Sequence, residues 1–249
     1  LGAASSYAGG LAQFYHSGSF IKRINGGRGA ESGVMAALLT KEGIWGPRDI
    51  LEGDSGFFRA FSREFEPSKV TGDLGHGYRM MEVSTKVHAG AGRLQATVDA
   101  GLALGHAHKL APADVVDVEV GIPRVVDGKL THGNPPDLQS AQLSIPFSLA
   151  MALALGAKRG SEAGMRRGDY EAALKSPAVR ELSKRVRCVL DPEIERGTNT
   201  EEVPARVSIR LADGRTFIER VAHPRGSPHR RMTWDELSAL FIDSVGDAL

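Results

Sequence analysis

Hydrophobic positions divide the chain into two textures. From residue 1 to about 81 the apolar residues recur at helical spacing. Val34, Ala37 and Leu38, with Met35 and Leu39, predict a helix over 31–41 that closes at Gly43 and Gly46-Pro47. A short helix is expected to begin at Pro47-Arg48-Asp49-Ile50-Leu51 and to break at 53–56. Phe57, Phe58, Phe61 and Phe65 follow as an aromatic cluster, read as core or as a substrate-side wall. From about residue 82 strands appear. Val115-Val116-Asp117-Val118-Glu119-Val120-Gly121-Ile122 alternates as a strand with one solvated face, and 185–190 reads as another. Residues 205–211 and 215–222 flank Ala212-Asp213-Gly214, which predicts a hairpin. Helices are expected at 93–104, 141–156 (with Pro146 in its first turn), 168–175 and 177–184. Thr233-Trp234-Asp235-Glu236 is a capping box opening a last helix to about Val245. Irregular mixing of helices with antiparallel strands gives an α+β class.

Composition narrows the function classes. The 249 residues are 41% hydrophobic and 24% charged, with a net charge of +1, as in ordinary globular proteins without a nucleic-acid partner. No apolar run is long enough to cross a bilayer, and no signal-peptide order opens the chain. The single cysteine, Cys188, excludes an intrachain disulfide and a cysteine-ligated metal cluster. It fits a reducing compartment, so a cytoplasmic location is expected. No nucleotide motif is complete, and no cofactor is expected.

The candidate chemistry lies in two similar stretches. Ser19-Phe20-Ile21-Lys22-Arg23-Ile24-Asn25-Gly26-Gly27-Arg28-Gly29-Ala30 reads as a basic pair, a glycine loop and a helix start. Lys86-Val87-His88-Ala89-Gly90-Ala91-Gly92-Arg93 repeats the arrangement. Glycine loops bring N–H groups close to a ligand, and a helix N-terminus adds unpaired donors. With a lysine beside each loop, the pair reads as two anion cradles for a substrate carrying more than one carboxylate. Glycine turns beside solvated lysines also occur with no ligand. His88 can move protons near neutral pH or serve in packing. Arg28 and Arg93 can clamp carboxylates bidentately. His106 and His108 form a His-x-His pair that reads as a polar helix end, and His76, His132 and His229 have no evident partner.

These segments resemble the MmgE/PrpD family of 2-methylcitrate dehydratases, cis-aconitate decarboxylases and iminodisuccinate epimerases. Four matches in register carry the resemblance. The first lysine stretch continues through 32–39 and 46–53. Lys86 to Asp99-Ala100 is similar to a second lysine loop. Ser140-Ala141-Gln142-Leu143-Ser144-Ile145-Pro146-Phe147 resembles a family helix start. His223-Pro224-Arg225-Gly226-Ser227-Pro228, with Thr233–Leu237, resembles a C-terminal signature. The resemblance implies an all-helical domain with an inserted α+β lid, divided here as 1–81, 82–222 and 223–249. It implies catalytic Lys22 and Lys86. The loop reading adds His88 as a catalytic candidate, at a position where many relatives have an aromatic residue, and substrate contacts are expected from Asn25, Gly27, Arg28, Gly90, Arg93, Gln95 and Phe147. Family histidines fall on Asn25 and Gln95, and a family tyrosine falls on Phe147. Asn and Gln hydrogen-bond but carry no protons, and Phe does neither.

The resulting expectation is a lyase of a small di- or tricarboxylate, with no metal and no cofactor. An epimerase in the same pocket and a non-catalytic or split subunit are the alternatives. Relatives carry further helices before this point, so Leu1–Gly10 and the apolar faces of 31–41 are expected to pack on helices from a dimer mate or partner chain. Lys22 and Lys86 are expected to face one another across a cleft.

Overall fold

A computed structural model describes residues 1–14, 21–199 and 202–246; Ser19 and Phe20 lie outside them. The chain forms two compact units, Leu1–Arg79 and Met80–Leu249. The three-part division into helical domain, lid and returning segment is a proposal resting on the resemblance. No helix of the described residues is long and apolar enough to cross a membrane.

The first unit holds α1 (Gly2–Ser5), α2 (Lys22–Lys41), α3 (Phe57–Phe61) and α4 (Ser68–Thr71). Helix α2 corrects the first reading: Gly26–Gly29 is helical, not a loop. Its backbone N–H groups therefore face along the helix axis toward the preceding turn, the ordinary geometry of helical donors. Isolated glycines cost a helix about 1 kcal/mol each relative to alanine. The surrounding Ile24, Arg28, Ala30 and the 34–39 run outweigh that cost by extending one regular segment. The helix stops at a Schellman turn: Gly43 has φ +88°, its N–H reaches Thr40 O at 3.1 Å, and Ile44 N–H reaches Leu39 O at 2.9 Å. Residues 48–53 form turns in place of the expected short helix. The aromatic cluster closes on itself, with ring centroids 4.7 Å apart for Phe57 and Phe61 and 5.1 Å for Phe58 and Phe65.

The second unit is a four-stranded sheet with helices packed on it, an α+β architecture. Its strands are β1 (Val115–Ile122), β2 (Val186–Leu190), β3 (Ala205–Leu211) and β4 (Thr216–Val221), in the order β2-β1-β3-β4. The hairpin forms as expected, with Ala205 opposite Val221 and Arg210 opposite Thr216. Gly214 has φ +88° at its turn, and Asp213 accepts from Arg215 N–H at 3.0 Å. The sheet is mixed: β3 pairs antiparallel with β1 and β4, and β2 runs parallel to β1. A parallel neighbour requires a long crossover, and the helices between residues 123 and 185 supply it.

Those helices follow α5 (Gln95–His108), which precedes β1. They are α6 (Leu138–Ala141), α7 (Ile145–Arg159), α8 (Arg167–Leu174) and α9 (Pro177–Lys184). Helix α7 begins where Ser144 Oγ accepts the Phe147 N–H at 3.0 Å, with Pro146 in the first turn. Helices α5 and α7 bury most of their length against each other and form the core with Val118, Val120, Val207 and Ile209 of the sheet. Phe147 is fully buried there, its ring stacked 6.5 Å from Tyr170, whose hydroxyl pairs with Ser148 Oγ at 2.9 Å. The chain continues through α10 (Pro192–Gly197) and the hairpin to α11 (Trp234–Val245), capped by Thr233 and Glu236 as the sequence predicts.

Candidate active site

The second lysine stretch enters α5 through a loop that Gln95 holds in shape. Gln95 is buried. Its Oε1 accepts the His88 N–H at 3.0 Å, and its Nε2 donates to His88 O at 3.1 Å and Ala91 O at 3.2 Å. The loop's own donors are also engaged. Ala89 N–H bonds Met165 O, Gly90 N–H bonds His88 O, and Ala91 N–H bonds Gln142 O. This corrects the second cradle: the 89–91 amides are turned into the protein, not toward an anion. Gly90 is glycine for a packing reason, since a Cβ there would lie 2.8 Å from Tyr170 Oη and 2.9 Å from Leu94 Cδ1. Gln95 and Phe147, expected to touch substrate, instead fasten a loop and fill the core.

His88 is buried, and both ring nitrogens are engaged. Nδ1 accepts the Met165 N–H at 3.2 Å, which places the ring proton on Nε2, and Nε2 donates to Asp99 Oδ1 at 2.8 Å. Asp99 sits one turn into α5. Its other oxygen accepts the Arg225 N–H at 2.7 Å and lies 3.5 Å from Arg230. The His223–Pro228 signature is thereby tied to the lysine loop through a single carboxylate. The sequence reading does not include Asp99, Arg225 and Arg230 among the site residues; the one charged residue in the 94–104 run, Asp99, is the available signal. The geometry makes His88 a residue that positions the loop.

Lys86, two residues earlier, is exposed and lines a cavity of about 620 Å³. Arg159, Arg166, Arg167, Asp169 and Asp243 line it as well. The arginines are engaged by acids. Arg159 grips Asp169 bidentately at 2.9 and 2.7 Å, Arg166 pairs with Asp243, and Arg167 reaches Glu171 at 2.8 Å. Among the described residues, Lys86 is the cavity's cation without an ion pair. Arg93 stands half-buried on the turn before α5.

The remaining candidates lie on α2 in the first unit. Lys22 and Asn25 are half-buried, Gly27 is exposed, and Arg28 is exposed and paired to Glu31 at 2.5 Å. Arg28 is therefore already neutralised by a neighbour on its own helix. His106 and His108 do end a helix, with His108 stacked on Phe217 at 3.6 Å. A separate group, Glu202, His223 and His229, gathers beyond the hairpin.

The MmgE/PrpD N-terminal domain profile matches residues 1–69 and the MmgE/PrpD C-terminal domain profile matches residues 88–248. The chain belongs to the MmgE/PrpD family. It is also similar to the cis-aconitate decarboxylase-like protein oryM of Aspergillus oryzae (strain ATCC 42149 / RIB 40), at 24% identity over 269 residues. That match covers 98% of this chain and 53% of the relative, so the chain spans about half the relative's length. The family supports a reading of the dehydratase or decarboxylase type.

Proposed function

We propose that the protein contributes the lysine wall of a lyase acting on a small di- or tricarboxylate related to cis-aconitate or 2-methylcitrate. One observation carries this reading: Lys86 presents an unpaired ammonium to a cavity whose arginines are held by acids. The cavity volume falls in the range of about 300–1,000 Å³ typical of small-molecule sites. Loss of carbon dioxide, or removal of the C–H proton that precedes departure of hydroxide in a dehydration, leaves an electron pair that spreads into a neighbouring carboxylate. An ammonium fixed beside that carboxylate stabilises the developing charge more than the starting state. The buried His88–Asp99 pair and the Gln95 clamp hold the backbone that carries Lys86. The relative's printed name supports decarboxylation, and the dehydratase members of the family support loss of water.

The test is nuclear magnetic resonance of cis-aconitate and 2-methylcitrate incubated in deuterated buffer with the protein and with its Lys86→Met variant. Loss of one charge-assisted contact of about 1.5–3 kcal/mol should reduce turnover by about tenfold to a hundredfold. A variant as active as the parent would overturn the role of Lys86. Deuterium incorporation without net conversion would replace the lyase by an epimerase.

A further inference from the structure

The group beyond the hairpin has the composition of a metal site, and no feature of the lyase reading uses it. Glu202 stands just before β3, and His223 and His229 follow β4. One ligand atom from each of the three lies within 4.8 Å of the other two. The His rings lie 4.3 Å apart, centroid to centroid. Glu202 is 4% exposed, and its Oε2 accepts from His223 Nδ1 at 2.7 Å. The other carboxylate oxygen, Oε1, is buried with no hydrogen-bond partner among the described residues. A buried carboxylate oxygen left unpaired is costly, and such atoms are ordinarily satisfied by water or by an ion.

The backbone around the histidines is held independently of them. Ser227 N–H bonds Pro224 O at 3.1 Å, Arg230 N–H bonds Ser227 O at 3.1 Å, and Gly226 N–H bonds Arg230 O at 2.8 Å. Arg225 N–H is fixed on Asp99. The ligands therefore come from a strand entrance and a braced loop, not from mobile side chains on one helix. A second cavity, of about 370 Å³, is lined by His223, Glu162 and Arg230.

We propose that Glu202, His223 and His229 bind a divalent transition-metal ion of the zinc class. Two imidazoles and one carboxylate suit zinc, nickel or cobalt, and three protein ligands leave one position for water. Bonds of about 2.0–2.2 Å set neighbouring ligand atoms of a tetrahedron roughly 3.3 Å apart. The Glu202–His223 pair must open slightly from 2.7 Å, and the most separated atoms must close from at most 4.8 Å. Side-chain rotations supply movements of this size. Binding at His223 Nδ1 breaks its hydrogen bond to Glu202 and moves the proton of the neutral ring to Nε2. The ion would clamp the 223–230 loop, which in turn holds Asp99.

The experiment is titration of the chelator-treated, tag-free protein with zinc against a chromophoric competitor, with cobalt(II) absorption as a second readout. The parent should bind one equivalent and give a four-coordinate cobalt spectrum. His229→Ala, at an exposed position, should weaken zinc by at least about tenfold and abolish that spectrum. Glu202→Gln should do the same, and His106→Ala should bind like the parent. Equal binding by the parent and His229→Ala, or loss of binding in His106→Ala instead, would overturn the site. If Glu202→Gln fails to fold, His229→Ala decides alone.

Discussion

Two glycine-bearing helices of this chain have opposite fates. In α2 a Cβ built on Gly26, Gly27, Gly29 or Gly33 meets nothing within 4 Å, and Val34, Met35 and Leu38 are 63%, 47% and 56% exposed. In α5 a Cβ on Gly101 would lie 2.7 Å from Leu149 Cδ1 and 2.8 Å from Ala152 Cβ. A Cβ on Gly105 would strike the Leu153 carbonyl, and one on Gly156 of α7 would strike the Leu102 carbonyl. The two helices approach so closely that backbone meets backbone, and only glycine permits it. Small residues at helical spacing therefore do not by themselves mean close packing. They mean it only where a partner helix supplies an opposing surface.

Gly105→Ala should break the packed member of this comparison. Its added methyl faces backbone, which cannot rotate away, so a loss of about 1–3 kcal/mol is expected. Urea unfolding followed by circular dichroism measures it. An unchanged midpoint would show that α5 and α7 can separate at no cost, and the contrast with α2 would disappear.

Helix α11 tests an intermediate case. It buries no residue, and Trp234, Phe241 and Ile242 are exposed. Its first turn is held by its cap, where Thr233 Oγ1 accepts the Glu236 N–H at 3.2 Å and Glu236 accepts the Thr233 N–H at 2.7 Å. Thr233→Ala should cost about 1 kcal/mol, read as faster amide exchange in 234–238. The Thr233 N–H, Arg225 and the Thr233 hydroxyl together hold the Glu236 carboxyl down from 4.5 to about 2. A depressed carboxylate stabilises the folded form fully above its unfolded value, and that contribution is lost as pH falls from about 4.5 towards 2. A carboxyl titration near 4.5 in the folded protein would remove this part of the cap.

Gly29→Ala should have the smallest effect and the opposite sign. In an exposed helix interior alanine gains about 0.5–1 kcal/mol over glycine. Thermal unfolding should shift slightly upward. A downward shift would reveal another helix lying against that face and would bring α2 into line with α5.

The second unit was largely legible in the sequence. Alternation marked β1, the Asp213-Gly214 turn marked the hairpin, and Ser144-x-Pro146 and Thr233-x-x-Glu236 marked two helix starts. Each of these signals is local: a side chain bonding a backbone three residues away, or a turn that needs a positive φ. Gly26–Gly29 misled for the same reason. Glycine permits a loop without requiring one, and helical neighbours on both sides settled the matter. The sense of β2 was also beyond local reading, because parallel pairing is decided by the path of a crossover some sixty residues long.

The candidate site divides along the same line. The sequence alone determined that Lys86 and His88 share one glycine-bearing loop leading into a helix, because both follow from residue order. Only the tertiary structure decided what each does. Three segments distant in sequence meet there: Met165 N–H and Asp99 occupy the His88 ring, Gln142 O takes the Ala91 amide, and acids hold the arginines beside Lys86. Whether a polar group is free to act depends on which partners reach it. Those partners are brought by packing between helices and loops that no local pattern encodes.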